Sequence, residues 1–128
     1  MSLQDKYRKV LDLGEKLEVK DGYVEEAEGQ LRMGGTAKTQ YHKDLLWDQI
    51  KEVAGGMPSD LEADIKVENK DHYHIHTVES GDTLGKIAKQ YYGKPNKYMH
   101  IFNANTDKLK NPDLIHPGQE LVIPHLED

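Results

Sequence analysis

Two stretches of the first half carry apolar side chains at helical spacing. Residues 5–17 repeat them every three or four positions, with charged residues between. Residues 41–54 do the same, and the Gly55-Gly56 pair followed by Pro58 ends that stripe. The spacing predicts two helices, the first loosened at Gly14.

Between and after these helices the pattern favours strands. Residues 22–35 predict two short polar strands around a turn at Glu28-Gly29, because glycine adopts the positive φ of a tight hairpin. Residues 61–67 alternate apolar and charged side chains, the period of a strand with one face on a core. The first half therefore predicts an α-β-β-α-β unit.

The second half predicts a different order and has no Pro, Gly or Ser linker before it. The predicted elements are a strand over 74–78, a helix over 83–92, a helix over 96–103 and a strand over 120–123. We expect two α+β domains, residues 1–70 and 71–128, the second with the order β-α-α-β.

Composition narrows the possible partners. The 128 residues carry a net charge of −6, which disfavours nucleic acid and anionic lipid as partners. Without cysteine the chain has no disulfide, thiolate metal ligand or cysteine nucleophile. The charged N-terminus resembles neither a signal peptide nor a membrane anchor, so we expect a cytoplasmic protein without membrane insertion.

The stretch from Ser80 to Leu84 combines a sharp turn with a helix start. Gly81 permits the turn, Asp82 is placed to accept a hydrogen bond from a free helix amide, and Leu84 anchors the turn to a core. Pro117-Gly118 predicts a second turn. If the two strands pair, the turns lie at neighbouring ends and leave a shallow groove.

These residues resemble a LysM domain. The matching positions are His76-Thr77-Val78, Ser80-Gly81-Asp82-Thr83-Leu84, Ile87-Ala88, Ile101, Ala104-Asn105, Ile115, Pro117-Gly118-Gln119, Leu121 and Ile123-Pro124. His76 departs from the tyrosine that is usual there. The resemblance implies binding of N-acetylglucosamine units of peptidoglycan or chitin in a groove lined by Gly81, Asp82, Thr83, Leu84, Ile115, His116 and Pro117. For an aromatic platform, the region offers only Tyr91, Tyr92 and His116.

The first half is similar to a BON domain, and BON followed by LysM resembles a family of small bacterial potassium-binding proteins. Residues 10–17 and 105–124 carry the local likeness. The resemblance implies a potassium ion held by the carbonyls of Val10, Leu13, Gly55, Met57 and Ser59, with the ion altering the packing of the two domains. Helix ends suit this role because their last carbonyls lack intrahelical partners.

Other constellations have simpler explanations. His72, His74 and His76 alternate, so on a strand they would lie on one face, where two of them could share a zinc ion, or they could simply be partly exposed strand residues. Ser80, Asp82 and a histidine form no nucleophile elbow, so we expect no enzyme. The predicted function is non-enzymatic potassium binding, the alternative is glycan binding through the groove, and a third possibility is docking of a protein or membrane partner.

Overall fold

The computed structural model describes residues 2–126. The chain divides between Lys70 and Asp71 into two compact units. Each unit has its own sheet and its own helices.

The first unit confirms the predicted order of helices and strands. Its elements are α1 (Leu3–Lys6), α2 (Arg8–Lys16), β1 (Lys20–Ala27), β2 (Gln30–Thr39), α3 (Gln40–Ala54) and β3 (Leu61–Asn69). The prediction of a single helix over residues 5–17 is wrong, because the helix is interrupted at Tyr7. The predicted loosening at Gly14 is not seen, since Gly14 lies inside α2. Tyr7 is fully buried and hydrogen-bonded to Asp60, a tertiary contact that helical spacing does not reveal.

The three strands form one mixed sheet in the order β1-β2-β3. β1 and β2 are antiparallel around a turn at Glu28 and Gly29, both of which have the positive φ that the sequence predicted for glycine. β2 and β3 are parallel, with Leu31 opposite Leu61. Parallel neighbours need a crossover, and α3 provides it.

The core of the first unit lies between the helices and the inner face of β2 and β3. Its buried side chains are Tyr7, Val10, Leu31, Met33, Ala37, Leu46, Ile50, Leu61 and Ile65. All eight residues of β1 are exposed. The helices therefore cover two strands of the sheet and leave the third open.

The second unit also confirms its predicted order. It contains β4 (His74–Thr77), α4 (Leu84–Tyr92), α5 (Tyr98–Ala104) and β5 (Glu120–Ile123), with a 3₁₀ turn at Pro95–Lys97 before α5. β4 and β5 pair antiparallel, with His74 opposite Ile123. The helix predicted from residue 96 begins two residues later because a 3₁₀ turn precedes it.

The start of α4 corrects the predicted role of Asp82. Thr83 is the N-cap, since its hydroxyl oxygen accepts from the Lys86 amide at 3.1 Å. Asp82 precedes the cap and accepts from the Glu79 amide at 2.8 Å, which closes the turn at Gly81. Both polar residues are used, but only Thr83 satisfies an amide of the helix.

Asn105 connects α5 to β5 inside the second unit. Its side chain is buried, with 1% exposed. Its amide nitrogen donates to the carbonyls of Ile101 and Val122, and its oxygen accepts from the Val122 amide at 2.8 Å. The Asn105 side chain thus links the end of α5 to strand β5 through hydrogen bonds.

Candidate functional site

A cavity of about 490 Å³ opens on the second unit where the start of α4 faces the start of α5. It is lined by Asp82, Thr83, Leu84, Gly85, Tyr98, Pro112, Asp113 and Ile115. Four of the residues predicted for the groove, Asp82, Thr83, Leu84 and Ile115, therefore lie together. The size falls within the usual range of small-ligand sites.

The other three residues predicted for the groove belong to the turns beside it. Gly81 has φ 90°, and its carbonyl accepts from the Lys86 ammonium at 3.2 Å. The His116 amide donates to the Gln119 side chain at 2.8 Å, in the turn that contains Pro117. These residues shape the groove but do not line this cavity.

Tyr98 supplies an aromatic ring that the sequence pattern did not place at the groove. It lines the cavity with 38% of its surface exposed. The aromatic candidates from the sequence have other roles: Tyr91 is buried against His76, and Tyr92 donates to the Pro124 carbonyl. Tyr98 lies on the helix predicted over residues 96–103, and only the packing of that helix brings its ring to the groove.

Asp82 connects the groove to the sheet. Its carboxylate accepts from the Glu79 amide and lies 2.9 Å from His76 Nε2, contacts that lower its pKa, with the amide contributing most. His76 Nδ1 lies 2.6 Å from the Tyr91 hydroxyl. The histidine that replaces the usual tyrosine thus bridges a buried phenol and a groove carboxylate.

The three alternating histidines lie in different surroundings. His72 precedes β4, and both ring nitrogens of His76 have side-chain partners. Across residues 2–126 there is no group of three His, Asp or Glu side chains placed to hold a metal ion. The three histidines therefore do not act as one set of ligands.

In the first unit, the carbonyls predicted to bind potassium come from two segments. Val10 and Leu13 lie in α2, where the Leu13 carbonyl accepts from the Leu17 amide at 2.9 Å. Gly55 caps α3 in the left-handed conformation, and Met57 is 73% exposed. The Ser59 carbonyl accepts from the Gln30 side chain at 2.9 Å.

A partly buried contact joins these two segments. The Tyr7 hydroxyl donates to Asp60 Oδ1 and the Lys6 ammonium contacts Asp60 Oδ2, each at 2.6 Å. Lys6 and Tyr7 together lower the pKa of Asp60, while burial and then Asp60 raise the pKa of Tyr7 to about 12. Tyr7, which precedes α2, is therefore held against Asp60, which follows Ser59. The sequence placed Tyr7 on an apolar stripe and carried no signal for its partner.

Comparison with known proteins identifies part of the second unit. Residues 76–124 match the LysM domain family, which confirms that resemblance over this segment.

Three relatives align with 50 residues, or 39%, of this chain. They are the potassium binding protein Kbp of Escherichia coli O6:H1 at 58% identity, an uncharacterized protein of Deinococcus radiodurans at 50%, and the spore coat assembly protein ExsA of Bacillus cereus at 46%. The alignments span 34%, 19% and 7% of those proteins.

The helices of both units are short or carry many charged residues. Within residues 2–126, none has both the length and the apolar character needed to cross a membrane.

Proposed function

We propose that the protein is a non-enzymatic binding protein that binds potassium in its first unit. In this proposal the first unit is a BON-like domain over residues 1–70, and it is followed by a LysM domain over residues 71–128. The observation that carries the proposal is the Tyr7–Asp60 hydrogen bond, which holds the start of α2 beside the turn that follows α3. The name of the Escherichia coli relative adds support, through the LysM segment alone.

The proposed ligands suit the chemistry of potassium. Carbonyl oxygens are the groups that replace its hydration shell in selective sites. Gly55 and Gly56 have φ of 75° and 144°, so successive carbonyls of this turn can adopt directions that other residues disfavour. A carbonyl has two lone pairs, so the hydrogen bonds to Leu13 and Ser59 leave each oxygen able to contact a cation.

The first experiment compares potassium with sodium at matched ionic strength, following melting temperature and amide spectra of the full chain. Potassium is expected to raise the melting temperature and to shift amides of residues 10–14 and 55–60, because a ligand that binds only the folded state stabilises it. Equal melting temperatures and unchanged amides in the two salts would refute the proposal.

A matched pair of variants separates ion binding from helix capping. Gly55 and Gly93 each end a helix in the left-handed conformation, with φ of 75° and 77°, and an added Cβ meets nothing within 4 Å at either site. Gly55→Ala and Gly93→Ala should therefore cost similar stability, about 1–2 kcal/mol, the cost of the left-handed conformation for a residue with a Cβ. We expect only Gly55→Ala to weaken the response to potassium, and equal responses would argue against this turn as the site.

A second candidate function is glycan binding by the LysM domain. The specific observation that favours it is the cavity where Asp82, Thr83 and Leu84 face Ile115 and the exposed ring of Tyr98. A sugar face can pack on such a ring while its amide and hydroxyl groups bond to the surrounding backbone and carboxylates. The three predicted residues outside the cavity, Gly81, His116 and Pro117, would then support the groove from its turns.

Titration with chitin oligomers and with muropeptides tests this function. Binding should shift amides of residues 81–85 and 112–117, and Tyr98→Ala should weaken it roughly two- to tenfold if the ring contributes 0.5–1.5 kcal/mol. Met99→Ala is the matched control, since Met99 is the next residue, is 41% exposed and does not line the cavity. Equal losses in the two variants would exclude the ring from a binding role.

A further inference from the structure

A second cavity, of about 420 Å³, opens into the core of the first unit. Its floor consists of side chains that are at most 8% exposed: Val10, Met33, Leu46 and Ile65. Its rim includes Leu11, Glu15, Val19, Tyr23 and Val24, from α2 and the strand region beside it. The cavity is thus an opening between α2 and β1 rather than a surface dimple.

The opening exists because the helices do not cover β1. Val24 pairs with Met33 across the antiparallel ladder, so the two side chains lie on the same face of the sheet. Met33 is 5% exposed, whereas Val24 is 39% exposed. An apolar position on the core face is therefore left without a covering helix at this point.

Close backbone packing sets one wall of the cavity. A Cβ on Gly34 would lie 2.5 Å from the Asp64 carbonyl and 2.8 Å from the Tyr23 ring. Gly14, on the opposite wall, differs because its added Cβ would lie 3.9 Å from Leu46 and Val19, an ordinary contact distance. The space beside Gly14 can therefore be filled by substitution, and the space at Gly34 cannot.

We propose that this cavity binds a small amphiphilic molecule that has a short alkyl chain and a primary amine at one end. Its volume and mainly apolar lining are those of a small-ligand site. Among the described residues that line it, Glu15 is the one charged side chain, and it is exposed at the rim. It attracts a cationic end and repels a carboxylate, while the alkyl chain packs on the apolar floor.

The test titrates the full chain with hexylamine, hexanol and hexanoate, followed by amide and methyl spectra. We expect hexylamine to bind at least fivefold tighter than hexanoate, with hexanol between them, and shifts centred on the floor residues. Glu15→Gln should abolish the preference for the amine without removing hexanol binding. Asp12→Asn, an exposed position of the same helix that does not line the cavity, should leave the preference intact.

A second test uses variants that fill the cavity. Gly14→Leu should weaken the binding of all three ligands at least tenfold. Val24→Phe, at the half-exposed rim, fills the same space independently if Gly14→Leu disturbs the fold. Hexanoate binding as tightly as hexylamine would overturn the proposal. So would undiminished binding in both filled variants, or shifts that avoid the floor residues. None of these readouts depends on potassium.

Discussion

The two units reach a packed structure by different means. The second has two strands of four residues each, and polar side chains such as Asn105, Thr83 and His76 fix its turns and helix ends. The first has a larger, three-stranded sheet, and both units bury apolar side chains in their cores. The comparison shows that two short strands leave backbone groups, such as those of Val122, for a side chain to satisfy, whereas a three-stranded sheet satisfies more of its backbone groups through strand pairing.

The largest effect is expected for Asn105→Ala. The substitution removes three hydrogen bonds and leaves the Val122 amide and carbonyl unsatisfied, so the second unit should lose about 3 kcal/mol or more of unfolding free energy. Urea unfolding followed by amide signals of each unit measures this. Asn103→Ala, an exposed position of the same helix, should cost far less. Equal losses would show that Asn105 does not hold the unit together.

A smaller effect is expected in the first unit for Asp60→Ala. The Tyr7 hydroxyl loses a charged acceptor and Lys6 loses its partner, which should cost about 1.5–3 kcal/mol. The same urea experiment should show the loss in amides of the first unit, with Asp64→Ala, at an exposed position of β3, as the control. A change below that of Asp64→Ala would argue against the Tyr7–Asp60 contact.

Thr83→Ala should cost less again, about 1 kcal/mol, because it removes a single N-cap hydrogen bond. Hydrogen exchange of the first-turn amides of α4 checks this directly. Asp82→Ala should loosen the Glu79 turn instead, with little change at the Lys86 amide. Faster exchange of Lys86 in the Asp82 variant than in the Thr83 variant would reverse the assignment of the cap.

The smallest effect at neutral pH concerns two phenols, one in each unit. Burial raises the pKa of Tyr7 and of Tyr92 from 10.0 to about 12. The unfolded chain therefore releases these protons first, so their contribution to stability is complete below pH 10 and is lost as the pH rises toward 12. Tyr7→Phe should flatten this loss in the first unit and Tyr92→Phe in the second, measured by unit-resolved unfolding across that range. An unchanged pH profile in either variant would contradict burial of that phenol as the cause.

Much of the architecture was predictable from local pattern. The α-β-β-α-β and β-α-α-β orders, the Glu28-Gly29 turn and the end of α3 at Gly55 follow from spacing and glycine positions. The LysM match rests on residues at fixed spacing, most of which cap, turn or pack that fold. Four of the seven residues predicted for the groove line its cavity.

The remaining features depend on residues far apart in the chain. Tyr7 meets Asp60 across 53 positions, and Tyr98 joins Asp82 and Ile115 only after α5 is packed beside α4. The uncovered strand β1 and its cavity likewise depend on where the helices lie. The sequence by itself determined which segments are helices and strands and where they turn, because those choices depend on neighbours within a few positions. Tertiary structure alone decided which side chains share a site, since that requires segments distant in sequence to come into contact.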